Sequence, residues 1–223
     1  MKILNKPFFF ITSFFKMSSH EERKQKVLNM KVSDLSITKY IKPEDQHRVQ
    51  ELEEKLQKAI QMHQVAGEQQ MTLYTKDLKL LNQGVLINDR NNDKKEELNH
   101  IMILTNDVEE ILKKRLVDLL THAVVTSVPP PDFPFEQYLK PEACSTVRRK
   151  IQYIHQLEKI ANEYETTYQL LWNENSYDDY TEEQKKKIKL LKHIAKRNKE
   201  IFSITSSKVS YNLAEKEVID NLK

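Results

Sequence analysis

The stretch Ser127-Val128-Pro129-Pro130-Pro131-Asp132-Phe133-Pro134-Phe135-Glu136-Gln137-Tyr138 decides the fold, because it separates two long regions of helical sequence. Each of its four prolines removes a backbone donor and restricts the residue before it, which predicts an extended or polyproline-like chain over 128–134. On either side of this stretch, the sequence is typical of helices for tens of residues. The sequence therefore predicts an all-α protein of elongated helices and coiled coil, with a proline-rich break at 128–134.

The composition excludes several other classes of protein. Two glycines among 223 residues are too few for the turns of an all-β or α/β fold, and no glycine-rich phosphate-binding motif is present. Charged residues make up 31% and aromatic residues 8% of the chain. The net charge of +3, from 36 basic and 33 acidic residues, is weak support for a polyanionic partner. Cys144 is the single cysteine, which favours a reducing compartment.

The chain divides into five predicted segments. They are a disordered or non-native extension (1–16), a flexible lead with a short helix that docks onto a partner (17–42), long coiled-coil helices (43–126), a proline-rich connector (127–141) and a C-terminal helical block (142–223). The first segment carries the apolar run Phe8–Phe15, which suggests a signal peptide. The run lacks a cleavage site and is too short to span a bilayer. An extension is the favoured interpretation, and a targeting signal or hydrophobic anchor is the alternative.

Residues 43–126 carry the heptad spacing of a coiled coil. Pro43-Glu44-Asp45 is a helix start, and two apolar stripes follow it. The residues predicted to bind a partner helix are Val49, Leu52, Leu56, Met71, Tyr74 and Leu78, and the second stripe continues to Leu81 and Val85. The poorly hydrophobic residues 63–67 between the stripes indicate a register shift or weak point.

Beyond Leu81, Gly84 and the polar run 89–93 indicate either a turn between two helices or an unbroken polar coil, and a break is favoured. The next stripe leaves its register open, with Leu98, Ile101, Leu104 or Thr105, Val108, and Ile111 or Leu112. The apolar segments Leu116–Val125 and Phe133–Tyr138, on either side of the prolines, are expected to be among the best buried.

The C-terminal block begins at Pro141 and carries the most regular stripe of the chain. Its residues predicted to bind a partner are Ile154, Leu157, Ala161, Tyr164, Tyr168 and Leu171. Thr181 and Gln184 form a capping box that starts the following helix. The serine- and threonine-rich segment 203–207 is expected to weaken that helix, and a short final helix is predicted over 209–222.

No constellation of catalytic residues stands out. None of the seven histidines belongs to a zinc-protease motif, and Cys144 has no partner motif. Carboxylates are interspersed with lysines, as on a solvated helix surface. We therefore expect a protein that is not an enzyme, without catalytic, metal-binding or cofactor-binding residues, without a cofactor and without a small-molecule substrate.

Residues 185–199 contain eight basic residues and no acidic one. This run would suit a nucleic-acid backbone, an acidic tubulin surface or an anionic membrane. The favoured interpretation is a solvated face that pairs with the acidic loop before it. The candidate polyanion-binding residues are Lys185, Lys186, Lys187, Lys189, Lys192, Lys196, Arg197 and Lys199.

The plan of residues 98–205 resembles the small coiled-coil subunits of the augmin (HAUS) complex, of the second-subunit type. The corresponding stretches are Ile111-Leu112-Lys113-Lys114-Arg115-Leu116, then Pro134-Phe135-Glu136, then helices at 142–172 and 181–205. The resemblance lies in the order of a long coil, a basic helix end, a proline-containing connector and two shorter helices, without a diagnostic motif. The triple proline departs from the pattern.

The resemblance implies a non-catalytic subunit that supports microtubule-dependent microtubule nucleation and spindle assembly. Its partners would be other coiled-coil subunits, with microtubules or γ-tubulin-recruiting factors beyond them and no membrane. It would reside in the cytoplasm, on the cytoskeleton at the spindle or centrosome, with the nucleus as the alternative location. A kinetochore or centromere coiled-coil subunit, or a nucleic-acid-binding protein with a basic helix, is the alternative function.

Overall fold

The computed structural model describes residues 20–85, 91–173 and 180–223. They form five α-helices and no strand, which confirms the all-α prediction. The predicted extension 1–16, with its apolar run, lies outside the described residues. The helices are α1 (His20–Asn29), α2 (Gln46–Asn82), α3 (Asn92–Ala123), α4 (Pro141–Asn173) and α5 (Glu182–Leu213).

Short helical turns join or extend these helices. Two 3₁₀ turns, Val32–Leu35 and Ile37–Tyr40, lead from α1 towards α2, and a third, Phe135–Gln137, precedes α4. After α5 the chain closes with a π turn and a last 3₁₀ turn, Ala214–Val218 and Ile219–Asn221.

The long helices form two antiparallel hairpins, α2 with α3 and α4 with α5, and α5 also packs against α2 and α3. The first hairpin turns after Asn82, where the favoured break was expected. Gly84 there has a φ of +73°, a left-handed conformation that glycine adopts without strain. A 37-residue helix therefore meets the partner that its apolar stripe requires within its own chain, over part of its length.

The core lies where α4 and α5 meet the base of the first hairpin. Tyr164 and Phe202 are stacked there with their ring centroids 5.8 Å apart, and the edge of Tyr40 meets both rings. Leu116 and Leu120 of α3 are fully buried nearby in the same cluster. This part of the molecule is a four-helix arrangement closed by the N-terminal turns.

The segment that leads into α2 packs on the bundle of its own chain. Its backbone carbonyl at Leu35 accepts hydrogen bonds from the Tyr164 hydroxyl (3.0 Å) and the Asn198 amide (2.7 Å). The Glu53 carboxylate of α2 accepts from the Ile37 amide at 2.8 Å, and burial raises the pKa of this carboxyl. The expected flexible lead is thus an ordered strap over residues 30–42, because its scattered apolar side chains find cover on this chain instead of on a partner.

The proline-rich connector lies along α4, and side chains of α4 satisfy its backbone. The Gln156 Oε1 atom accepts hydrogen bonds from the Ser127 amide (2.9 Å) and the Val128 amide (3.2 Å). Gln152 donates to the Val128 carbonyl at 2.6 Å, and Arg148 donates to that of Pro131 at 3.0 Å. These contacts replace the pairing that four prolines deny to a helix or a sheet.

The expected burial beside the prolines is confirmed for most of the segment before them and wrong in part for the segment after them. The segment from Leu116 to Val124 is largely buried, but Val125, Phe133 and Tyr138 are exposed. Phe135 alone carries the aromatic segment into the core. The difference arises because the connector lies on the surface of α4, so that only one face of it can be covered.

The helix α5 begins with the predicted capping box. The Thr181 hydroxyl accepts from the Gln184 amide (3.2 Å), and the Gln184 side chain accepts from the Thr181 amide (2.9 Å). The predicted weakening at 203–207 is wrong, since α5 continues to Leu213. Thr205 is fully buried and donates to the Ile201 carbonyl, so its hydroxyl is satisfied inside the helix.

Candidate interaction surface on the helical hairpin

The residues predicted to bind a partner from α2 fall into two groups. Val49 and Leu56 are buried in the core of this chain, and Leu52 is partly buried against it. Met71, Tyr74 and Leu78 are 67%, 47% and 59% exposed. The first group therefore stabilises the fold, and the second group forms a free apolar surface.

The residues predicted to bind a partner from α4 lie in the core of this chain. Ile154, Leu157, Ala161, Tyr164 and Leu171 are buried, and Tyr168 is partly buried. They are covered mainly by α5, which forms the second hairpin with α4. The regular spacing of this stripe thus reflects packing between two helices of the same chain.

The inner face of α2, which meets α3, follows one heptad position along the whole helix. Every seventh residue from Val49 is buried or partly buried, in the order Val49, Leu56, His63, Gln70 and Asp77. The first two are buried and apolar, whereas the last three are polar. This row of α2 therefore changes from apolar to polar between Leu56 and His63.

Polar contacts join α2 and α3 in the outer half of the hairpin, beside the buried apolar residues Ala66 and Leu98. The Nδ1 atom of His63 lies 3.1 Å from the Thr105 hydroxyl. Asp77, which is buried, binds the Lys95 ammonium group and accepts from the Asn91 amide at 3.2 Å. These donors lower the pKa of the Asp77 carboxyl, with the Lys95 hydrogen bond as the largest cause.

In the outer half of α2, the residues of the apolar stripe each follow a residue of the inner face by one position in the sequence. Met71 follows Gln70 and Leu78 follows Asp77, and Tyr74 and Leu81 complete the 3-4-3 spacing. One residue is a rotation of about 100° around a helix, so the stripe points sideways from α3 instead of into it. The Lys95 ammonium group of α3 lies 4.7 Å from the ring centre of Tyr74.

This stripe continues the groove that α5 occupies lower down. Gln64 donates to the Lys186 carbonyl at 3.4 Å, and Glu68 pairs with the Lys186 ammonium group at 3.3 Å. Gln64, Met71 and Leu78 are seven residues apart, so they share one face of α2. The helix α5 begins at Glu182, and among the described residues no helix covers this face beyond Glu68. The surface made by Met71, Tyr74, Leu78 and Leu81 is called the tip stripe below.

The basic residues of α5 are largely engaged within the chain. Arg197 binds Glu109 (3.2 Å), Glu110 (2.9 Å) and Glu200 (3.2 Å), and Lys199 binds Glu165 at 2.7 Å. The remaining engaged side chains are Lys186 on Glu68, Lys185 on Glu182, Lys187 on the Leu28 carbonyl and Lys192 over the Trp172 ring.

Lys189 and Lys196 are the two exposed members of the run for which the described residues supply no ion pair. The partners of the run sit mainly on other helices, whereas pairing with the preceding acidic loop was expected. Glu174, Asp178 and Asp179 of that loop lie outside the described residues. A polyanion would therefore meet few uncommitted cations on α5.

Glu109 is a buried charge, so the expectation that it pairs with the nearby lysines on a solvated helix surface is wrong for this residue. Its carboxylate is 1% exposed and lies 3.3 Å from His193 and 3.2 Å from Arg197 of α5. Burial raises the pKa of this carboxyl, but the hydrogen bond and charge of His193 and the charge of Arg197 outweigh burial and lower it overall. The signal in the sequence was its spacing, seven residues before the core residue Leu116.

The buried thiol of Cys144 lies 3.4 Å from the Lys140 carbonyl, inside the first turns of α4. Within the described ranges, no group of three metal-binding side chains comes together. No helix in those same ranges is long and apolar enough to cross a membrane.

Comparison of the chain with protein-family models, with curated proteins and with solved structures finds no match.

Proposed function

We propose that this protein is a non-catalytic subunit of a hetero-oligomeric assembly, and that its tip stripe binds a helix of a partner subunit. The observation that carries the proposal is the heptad row of exposed apolar side chains at Met71, Tyr74, Leu78 and Leu81. Covering each of them would contribute about 1.5–3 kcal/mol before the costs of association. A contiguous apolar row of this kind is typical of a protein–protein contact.

The kind of partner follows from the spacing. A 3-4-3 row fits the knobs of a second helix in a coiled coil, and the groove already accepts α5 in its lower part. The partner helix would extend the line of α5 towards the end of the hairpin. It needs apolar residues at heptad spacing and few charges at its centre, since Thr75 and Asn82 flank the row.

The setting we propose is a mitotic spindle assembly of the augmin type, which supports microtubule-dependent microtubule nucleation. This part of the proposal rests on the resemblance of residues 98–205 to the small augmin subunits. Other coiled-coil subunits would be the direct partners. A kinetochore or centromere assembly is the alternative setting, and the identity of the partner chains distinguishes the two.

The test is affinity purification of the tagged full chain from dividing cells, with chemical cross-linking and identification of the partners. We expect Met71→Glu/Leu78→Glu to lose the partner chains that cross-link to Lys76. Thr72→Glu/Lys79→Glu is the matched control for partner recovery, because its residues have the same spacing but point away from the groove. Circular dichroism should show equal helix content in all three proteins.

The outcomes separate the two parts of the proposal. Equal recovery of cross-linked partners by Met71→Glu/Leu78→Glu and the wild type would refute the role of the tip stripe. Loss of partners that belong to neither spindle nor γ-tubulin-recruiting assemblies would keep the subunit role and refute the setting.

A further inference from the structure

A second apolar stripe lies on the outside of α3. It consists of Glu97, Ile101, Leu104, Val108, Ile111 and Arg115, at spacings of 4-3-4-3-4. Leu104 is 61% and Ile111 53% exposed, whereas Thr105 and Leu112, one position further, are buried. The structure thus resolves the register that the sequence left open, with Thr105 and Leu112 inward and Leu104 and Ile111 outward.

Neighbouring residues leave most of this stripe uncovered, although Ile101 is partly buried beside α2. The helix α5 contacts α3 on another side, through Glu109, Glu110 and Lys113. On the α2 side the stripe is bordered by Met62 and Val65, which are exposed and line one groove together with Ile101. Glu97 and Arg115 are exposed, and neither forms an ion pair with another described residue.

The stripe has the same spacing in both directions along the helix. Four apolar residues occupy its centre, an acid ends it towards the N-terminus and a base ends it towards the C-terminus. When two copies lie antiparallel, Leu104 faces Val108, Ile101 faces Ile111 and Glu97 faces Arg115. A parallel arrangement would instead place Glu97 against Glu97 and Arg115 against Arg115.

We propose that this surface binds a second copy of the chain, with the two α3 helices antiparallel about a two-fold axis between Leu104 and Val108. The surface is self-complementary, as a two-fold interface requires. Met62 and Val65 widen the apolar centre from the α2 side. Lys55 of α2 lines a separate groove with Arg115, but its ammonium group is paired with Glu51 at 2.5 Å, so Arg115 is the cation that meets Glu97 of the other copy.

One feature opposes the contact. Asp107 flanks the stripe on its outer side near the two-fold axis, so the two copies bring two carboxylates towards each other. Both are at the solvated rim, where salt screens the repulsion. Removing this charge should therefore tighten the dimer.

The dimer surface is separate from the tip stripe. The tip stripe lies on the side of α2 that faces the line of α5, whereas Met62 and Val65 lie on the opposite side of the hairpin. The inference therefore does not depend on the proposed function, and the two contacts can form together.

Sedimentation equilibrium of the full chain tests the proposal. We expect a dimer at concentrations of tens of micromolar, and we expect Leu104→Glu to raise its Kd at least about 100-fold, because each interface contains the substitution twice. Leu78→Glu is the matched control, since it places the same change on an equally exposed leucine of the tip stripe. A dimer lost in Leu78→Glu and kept in Leu104→Glu would overturn the proposal.

A charge exchange tests the antiparallel orientation without placing a charge in the apolar centre. Glu97→Arg alone and Arg115→Glu alone should each raise the Kd about tenfold, since two attractive contacts become repulsive. The double variant Glu97→Arg/Arg115→Glu should restore the wild-type Kd to within about threefold. A wild-type chain that stays monomeric at about 100 μM, or a double variant as weak as the single ones, would refute the proposed dimer.

Discussion

The base and the tip of the α2–α3 hairpin are built from the same two helices. At one heptad position of α2, however, the inner side chains are apolar at the base and polar at the tip. At the base, Val49 and Leu56 of α2 are buried in a core that includes Leu116 of α3. At the tip, the same heptad position carries Gln70 and Asp77. Most apolar residues of α2 at the tip lie one position further round the helix and are exposed, whereas Leu73 is partly buried and Leu98 of α3 is buried. The comparison shows that the geometry of the hairpin determines which positions of α2 face α3, and that these positions face inward whether their side chains are apolar or polar.

This difference has an energetic consequence. Buried apolar residues at the base contribute through removal of their surface from water, whereas a buried pair such as Asp77 and Lys95 offsets much of its attraction with lost hydration. The tip should therefore be the less stable part of the hairpin, and its polar contacts should specify register more than they add stability. A partner helix on the tip stripe would add to the small apolar burial of the tip.

The largest expected effect comes from the base. Leu56→Ala removes a side chain that is 2% exposed, and it should lower the free energy of unfolding by about 3 kcal/mol through lost burial and a cavity. Leu78→Ala makes the same change on the exposed tip stripe, and it should lower that free energy by less than about 0.5 kcal/mol. Urea unfolding of the full chain followed by circular dichroism measures both values. Equal losses would mean that the tip stripe is covered in the isolated chain.

A smaller effect is expected where base and tip meet, at the buried Glu109. Glu109→Gln removes the charge that binds Arg197 and should lower the free energy of unfolding by about 2 kcal/mol at pH 7. The pKa of this carboxyl is lowered on folding. Its contribution to stability is therefore fully present above the unfolded pKa of about 4.3 and is lost as the pH falls through the lower folded value.

Urea unfolding at pH 7 and at about pH 3 checks this sign, because the difference between Glu109→Gln and the wild type should shrink at the lower pH. Glu96→Gln is the control, since Glu96 is exposed on the same helix. A difference that stays constant or grows in acid would show that the carboxylate of Glu109 is not stabilised by its basic neighbours.

Much of the fold could be predicted from local signals. The capping box at Thr181, the helix start at Pro141 and the break after Leu81 each depend on a few neighbouring residues, and each was predicted correctly. The strap over residues 30–42 could not be predicted, because it is held by single contacts from distant helices, such as Tyr164 and Asn198 on the Leu35 carbonyl.

The candidate surface was predicted only in part, for a similar reason. Spacing identifies an apolar stripe but does not say whether its cover comes from the same chain or from another. The stripe from Ile154 to Leu171 and the tip stripe have the same spacing, yet α5 covers the first and ends before the second. The length of α5 decides the difference, and it is not encoded in either stripe.

The smallest expected effect concerns the polar inner face of the tip. Gln70→Leu would extend the apolar inner face by one heptad beyond the base, and it should stabilise the tip by about 0.5–1 kcal/mol because a partly buried amide is replaced by an apolar group. Native-state hydrogen exchange should show slower exchange of amides in 70–82 and 92–102. Gln69→Leu controls for helix propensity, since it makes the same change on an exposed position. Faster exchange in Gln70→Leu would mean that the polar residues at 63, 70 and 77 act as a unit, so that the tip depends on its polar contacts for stability as well as for register.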